Sequence, residues 1–183
     1  MPRPPRQFVP GGIYHIAAHG SDRRSLFLFD SDRTAFLNRL ARVVERHELT
    51  CVAYCLMGTH YHLIVQVPDD RISRALQELH GGHARHFNRI HGHTAHLFRH
   101  RFLARLIDGD PYLLMACRYL AYNPVRAGLC GDPDDWPWAS HRATAGLEPA
   151  PHFLSEGCLR EAFGGTNWRS RYREFISVGR PTR

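Results

Sequence analysis

The spacing of apolar residues changes several times along the chain. From Gly12 to Ala18 apolar and polar positions alternate loosely, which predicts a strand. Phe36, Leu37, Leu40, Val43 and Val44 then recur at three and four, as on one face of a helix. That helix is expected to begin at Asp30-Ser31-Asp32, whose side chains can accept from free backbone N–H groups, and to run to about His47. Thr50–Leu56 and the segment from His60 to Val67 read as two strands joined at Met57-Gly58-Thr59, a hairpin. Pro68-Asp69-Asp70 opens a second helix with inward positions at Ile72, Leu76, Leu79, Phe87 and Ile90. The same spacing turns His83 inward, four residues after Leu79 and four before Phe87. Gly81-Gly82 weakens this helix by roughly 1 kcal/mol per glycine and allows a close approach to its backbone. Arg101–Ile107 reads as a further strand. Asp108-Gly109-Asp110-Pro111 starts a third helix, which Asn123-Pro124 is expected to break.

The segment from His60 to Val67 carries the candidate chemistry. Side chains of a strand alternate between faces, so His60, His62, Ile64 and Gln66 share one side and Tyr61, Leu63, Val65 and Val67 the other. The second set is apolar and is assigned to the core. The two histidines are left together on the opposite side, close enough to hold one metal ion as neutral imidazoles. His-x-His alone is a weak motif in a chain with 14 histidines.

Composition narrows the choice of partner. The 183 residues carry a net charge of +7, and all 24 basic residues are arginine. Guanidinium groups fork onto phosphates and stack on bases, so a polyanion, most simply nucleic acid, is the expected partner. A protein-interaction domain indifferent to nucleic acid fits this charge poorly. No apolar run follows Met1–Arg6 and no stretch has the length of a membrane span, so a cytoplasmic location without membrane contact is expected. The five cysteines are scattered and read as reduced thiols. Phosphate-binding glycine loops, zinc-finger spacings and internal repeats do not occur.

Arginine is spread along the chain. Residues 1–10 read as an extended basic arm, and Arg23 and Arg24 sit in a turn. Residues 80–100 hold seven histidines interleaved with Arg85, Arg89 and Arg99, followed by Arg101. Arg126 follows the third helix. Trp136 and Trp138 lie in a rigid loop, residues 144–151 form a linker, and the tail from Phe153 to about Val178 reads as one or two short helices. That tail ends with Arg169, Arg171 and Arg173 among aromatic residues, a pattern suited to nucleic-acid contact or to an amphipathic helix packed on the domain.

The order strand–helix–strand–strand–helix–strand fits an antiparallel sheet with helices on one face. The chain resembles the REP-associated tyrosine transposases, a branch of the HUH single-strand endonucleases. The residues that carry the resemblance are Gly12-Ile-Tyr-His-Ile16, Ala53-Tyr-Cys-Leu-Met57 with His60-Tyr-His-Leu63, and Phe87-Asn-Arg89. It continues through His96-Leu-Phe with Arg101-Phe102, Arg118-Tyr-Leu-Ala-Tyr-Asn-Pro-Val-Arg-Ala-Gly128 and Trp136-Pro-Trp-Ala-Ser140.

The resemblance implies an α+β, ferredoxin-like HUH domain over residues 1–143 and a helical, arginine-rich extension over 144–183. It implies Mg²⁺ or Mn²⁺ at His60 and His62 with a third polar ligand, no small-molecule cofactor, and single-stranded or hairpin DNA as partner; the sequence leaves the oligomeric state open, with a monomer favoured. Asn88 is taken as the third ligand, with His80 and His86 as alternatives. It also implies a tyrosine that attacks the scissile phosphate, leaving a 5′-phosphotyrosine and a free 3′-OH. This tyrosine is expected on the helix after the His strand, five residues before Asn88, where the chain has His83. Tyr61 points away from the pair, and Tyr112, Tyr119 and Tyr122 read as packing residues. Thr59, His19, Ser21 and Ala95 also depart from the family's usual residues.

Three outcomes follow for His83: a lost nucleophile, a general acid or base for hydrolysis by water, or a nucleophile forming phosphohistidine. Arg23, Arg24, Arg85, Arg89, Arg99, Arg101, Arg126, Arg169, Arg171 and Arg173 are the expected nucleic-acid contacts. The reading is a transposase-like protein that binds structured single-stranded DNA and processes it with a divalent metal. The alternative is a catalytically inactive, domesticated DNA- or RNA-binding protein.

Overall fold

The computed structural model describes residues 8–179, apart from the side chain of Arg23. Most of the expected basic arm therefore lies outside the described residues. Four strands, β1 (Ile13–His19), β2 (Thr50–Leu56), β3 (His60–Gln66) and β4 (Leu103–Ile107), form one antiparallel sheet in the order β2-β3-β1-β4. The long helices α1 (Asp30–Arg46) and α2 (Ile72–His91) complete the ferredoxin-like β-α-β-β-α-β order. They cover one face of the sheet, where Tyr61, Leu63 and Val65 meet Phe36, Leu40, Leu76 and Leu79, all buried. Each such side chain contributes about 1.5–3 kcal/mol of apolar burial, so this face holds the main core.

Local chemistry sets the ends of these helices. The Asp32 carboxylate accepts from the N–H groups of Leu28 (2.9 Å) and Phe29 (3.0 Å) at the entry to α1. Helix α2 stops at Gly92, whose φ of 66° is the left-handed conformation that glycine adopts without a Cβ penalty. Gly82, inside α2, is where the Arg39 side chain crosses from α1, and a Cβ there would meet the guanidinium at 2.3 Å.

The opposite face carries a second layer over part of its area. Helix α3 (Asp110–Arg126) packs Leu113, Cys117, Leu120 and Ala121 against Ala53, Cys55, Ile64 and Ile107. The expected break at Asn123-Pro124 does not occur, and α3 continues to Arg126. Proline removes one N–H donor but keeps a helical φ, and Tyr122 and Asn123 just before it are buried.

After a short α4 (His141–Thr144), the tail folds as α5 (Gly157–Phe163) and α6 (Trp168–Val178). Trp168, Tyr172 and Ile176 are buried in the same cluster as α3. Tyr122 Oη donates to the Ile176 carbonyl at 3.1 Å, and the Arg118 guanidinium sits 3.5 Å from the Phe175 ring centre. His141 bridges Asp134 and the Tyr172 hydroxyl at 2.9 and 2.8 Å. No helix of the described residues is long and apolar enough to cross a membrane.

Candidate active site

The site lies on the face that α3 only partly covers. In the antiparallel register of β1 and β3, His19 faces His60, Ala17 faces His62 and His15 faces Ile64. Directly paired residues share a face, so four imidazoles from two central strands stand on one side of the sheet. Neighbouring rings are 5.0 Å apart for His19 and His60, 5.1 Å for His60 and His62, and 5.1 Å for His15 and His62. Of the four, His62 is the most enclosed, 5% exposed. Burial, aided by the neighbouring histidines, pushes its pKa down to about 3, and burial also lowers that of His60. Both rings are therefore neutral at pH 7, the form in which imidazole binds a metal.

Helix α3 brings two further groups to the pair. The ring of Tyr119 is 5.5 Å from that of His62 and 6.0 Å from that of His15, and the residue is 40% exposed. Four residues on, and so on the same side of the helix, the Asn123 side chain interacts with His60 and raises its pKa against the effect of burial. The Arg126 guanidinium lies 5.7 Å from the centre of the Tyr119 ring. Arg105 on β4 stands opposite His15 and depresses its pKa further, behind burial as the main cause.

The donor set suits a divalent cation. His62 Nε2 is buried without a hydrogen-bond partner, while its Nδ1 is engaged by His15. Two neutral imidazoles and a carboxamide oxygen fit a borderline or hard divalent ion such as Mn²⁺ or Mg²⁺. Among the described residues no three His, Cys, Asp or Glu side chains are grouped so as to hold a metal ion by themselves.

The other expected site residues lie elsewhere. His83 is on α2, across the sheet from the pair, and is 1% exposed. Its Nε2–H donates to the Leu26 carbonyl at 2.9 Å, and its ring packs against Phe27, Phe36 and Phe98. It reaches neither the pair nor solvent, which removes it as nucleophile and as general base or acid. Asn88 is on the same helix; its Nδ2 donates to the Ala95 carbonyl at 3.1 Å, far from any role with His60. His80 bonds Tyr61 Oη and stacks on Phe98 at 4.1 Å, also on the core side.

The arginines divide into two groups. Arg24, Arg85, Arg89, Arg99, Arg101 and Arg126 are exposed, whereas the Arg23 side chain lies outside the described residues. The tail arginines are engaged within the protein: Arg169 with Glu156 at 2.7 Å, Arg171 with the Phe163 carbonyl at 2.7 Å, and Arg173 with the Ala145 carbonyl at 3.2 Å. We expect Arg171→Ala and Arg173→Ala to change hairpin-DNA affinity less than about two-fold in a filter-binding titration, because a guanidinium held by a carbonyl has fewer donors to offer a phosphate. Trp136 and Trp138 are half-buried against Arg33, at 5.9 and 5.7 Å, rather than open to bases.

Tyr119, which the sequence reading assigned to packing, and Asn123, which it read as part of a helix break, stand at the pair. Their signal was a tyrosine and an asparagine four apart on a helix, inside the motif from Arg118 to Gly128.

Residues 9–123 match the family described as "Transposase IS200 like". The chain belongs to the IS200-like transposase family. The match takes in His60, His62, Tyr119 and Asn123 and ends at the last of them. A curated relative from Haemophilus influenzae, named "Putative REP-associated tyrosine transposase", is 29% identical over 149 residues, covering 75% of this chain and 84% of its own. A solved structure of a REP-associated tyrosine transposase bound to a REP hairpin superposes with a TM-score of 0.66. It is 23% identical and covers 85% of this chain and 94% of its own, and so shares the fold.

Proposed function

We propose that this transposase-family protein binds hairpin-forming single-stranded DNA and cleaves it with Tyr119 as nucleophile and a divalent metal, Mg²⁺ or Mn²⁺, at His60, His62 and Asn123. The observation that carries the reading is Tyr119, half-exposed, beside His62 on the same helical face as Asn123. When bound, the cation would supply Lewis-acid polarisation of the scissile phosphate.

The chain's own groups do the rest. The Tyr119 hydroxyl loses its proton and its oxygen forms a bond to phosphorus. The bond from phosphorus to the 3′-oxygen breaks, and that oxygen takes up a proton as a free 3′-OH. The product is DNA joined through its 5′-phosphate to Tyr119. Arg126 is placed to neutralise phosphate charge next to the attacking oxygen, and α3, held between sheet and tail, keeps Tyr119 at the pair.

The ground for a catalytically inactive protein was a missing tyrosine. Tyr119 removes that ground, and the hairpin-bound relative supports DNA as partner.

The test is incubation of a labelled hairpin oligonucleotide with the protein and Mn²⁺ or Mg²⁺. A covalent adduct on a denaturing gel, with the attached residue mapped to Tyr119 by mass spectrometry, is the expected result. Cleavage without adduct, or an adduct elsewhere, would overturn the assignment. Binding itself should weaken steeply with salt, by at least 10-fold between about 50 and 200 mM, as phosphate contacts are lost to counterions. A salt-independent affinity would exclude the arginine surface as its source.

A further inference from the structure

We propose that His15 is a positioning residue for His62: it accepts the Nδ1 proton of His62 and so leaves His62 Nε2 free to bind the metal. The inference rests on the metal reading above and adds to it a residue on a different strand.

The geometry follows from the sheet. His15 and His62 are diagonal neighbours on the two central strands, because Ala17 is the direct partner of His62. Diagonal neighbours on one face lie within reach of long or aromatic side chains. Here His15 Nε2 is 3.0 Å from His62 Nδ1.

A neutral imidazole carries its proton on one nitrogen only. If His62 Nδ1–H donates to His15, Nε2 of His62 keeps its lone pair and is a ligand. If His15 Nε2–H donates instead, the proton of His62 moves to Nε2 and closes the ligand. The acceptor state of His15 therefore decides whether His62 can coordinate. His62 Nε2 is buried with no protein partner, which suits a lone pair kept for a cation and leaves an N–H there without an acceptor.

Metal-binding histidines commonly fix their tautomer through a carboxylate, carbonyl or water on the second nitrogen. In this chain another imidazole holds that place. His15 also meets the Tyr119 ring at 6.0 Å, so one side chain borders both the ligand and the tyrosine.

Two substitutions separate hydrogen bonding from packing. His15→Gln places an amide oxygen near the position of Nε2 and keeps an acceptor. His15→Phe keeps a ring against Tyr119 and removes the acceptor. Titration of Mn²⁺ by calorimetry should show His15→Phe weakened about 10–100-fold and His15→Gln within about three-fold of the unmodified protein. Hairpin affinity in EDTA should stay the same for both.

Long-range ¹H–¹⁵N NMR of the metal-free protein reads the tautomer without any metal. His62 should carry its proton on Nδ1 in the unmodified protein and His15→Gln, and on Nε2 in His15→Phe. An unchanged tautomer and unchanged Mn²⁺ affinity in His15→Phe would overturn the proposal, as would a His15→Gln variant as weak as His15→Phe. A tautomer shift as expected, with no Mn²⁺ binding even in the unmodified protein, would uphold the hydrogen bond but defeat the metal reading and with it this role for His15.

Discussion

Tyr119→Phe is expected to abolish both hairpin cleavage and the covalent adduct, with a rate loss of at least roughly 10³-fold, since removing a nucleophile can cost up to about 10⁶ in kcat. The change deletes one oxygen from a side chain that is 40% exposed, so the fold should be untouched. Arg126 and the other exposed arginines remain, so hairpin affinity should stay within about two-fold by filter binding. Asn123→Ala should act differently. It removes the amide beside His60, the third proposed ligand, so Mn²⁺ affinity should fall together with cleavage, whereas in Tyr119→Phe it should not. If Tyr119→Phe still formed adduct, the nucleophile would have to be sought in another side chain.

The fold was legible in the chain because it is written in periods. The alternation of Tyr61, Leu63 and Val65 against His60 and His62 assigned the faces of β3, and the structure keeps that assignment. The three-four spacing of α1 and α2 marked their buried stripes in the same way. His83 was also read as inward, and it is. The error lay in carrying the family's tyrosine to position 83, five residues before Asn88, on a helix that packs on the other face of the sheet from the pair. A one-dimensional spacing tells which face of a helix is buried and not which face of the sheet it covers.

Tyr119 and Asn123 were hidden for a related reason. On α3 they sit among Tyr112, Leu113, Leu120 and Tyr122, and only the placement of α3 over the histidine face separates a packing tyrosine from an exposed one. The tail arginines show the reverse case: a basic, aromatic pattern reads equally well as a nucleic-acid surface or an amphipathic helix. Here α6 buries Trp168 and Tyr172 against the domain and its arginines bond inward.

His83 leads to the second large effect, which is on stability. Its burial among aromatic rings pushes its pKa down to about 4, against an ordinary value of 6.5. The folded state therefore holds His83 neutral while the unfolded chain takes up a proton. Stability is full above pH 6.5 and is lost as pH falls from there through about 4. For a shift of this size the loss reaches about 2.5 kcal/mol at pH 4.5. His80, held down to about 4 by burial, adds in the same direction.

His83→Gln keeps an N–H to donate to the Leu26 carbonyl but cannot titrate. Urea unfolding at pH 7.5 and 4.5 should show the difference between the two pH values shrinking by about 2.5 kcal/mol in this variant. Its stability at pH 7.5 should fall by roughly 1–3 kcal/mol, since an amide does not reproduce the packing of the imidazole ring against Phe27 and Phe36. Cleavage per folded molecule at pH 7.5 should equal that of the unmodified protein. A His83→Gln protein that folds but forms no adduct would return His83 to the chemistry; one that cleaves normally and resists acid makes His83 a core residue whose only titration is the one that unfolds the protein.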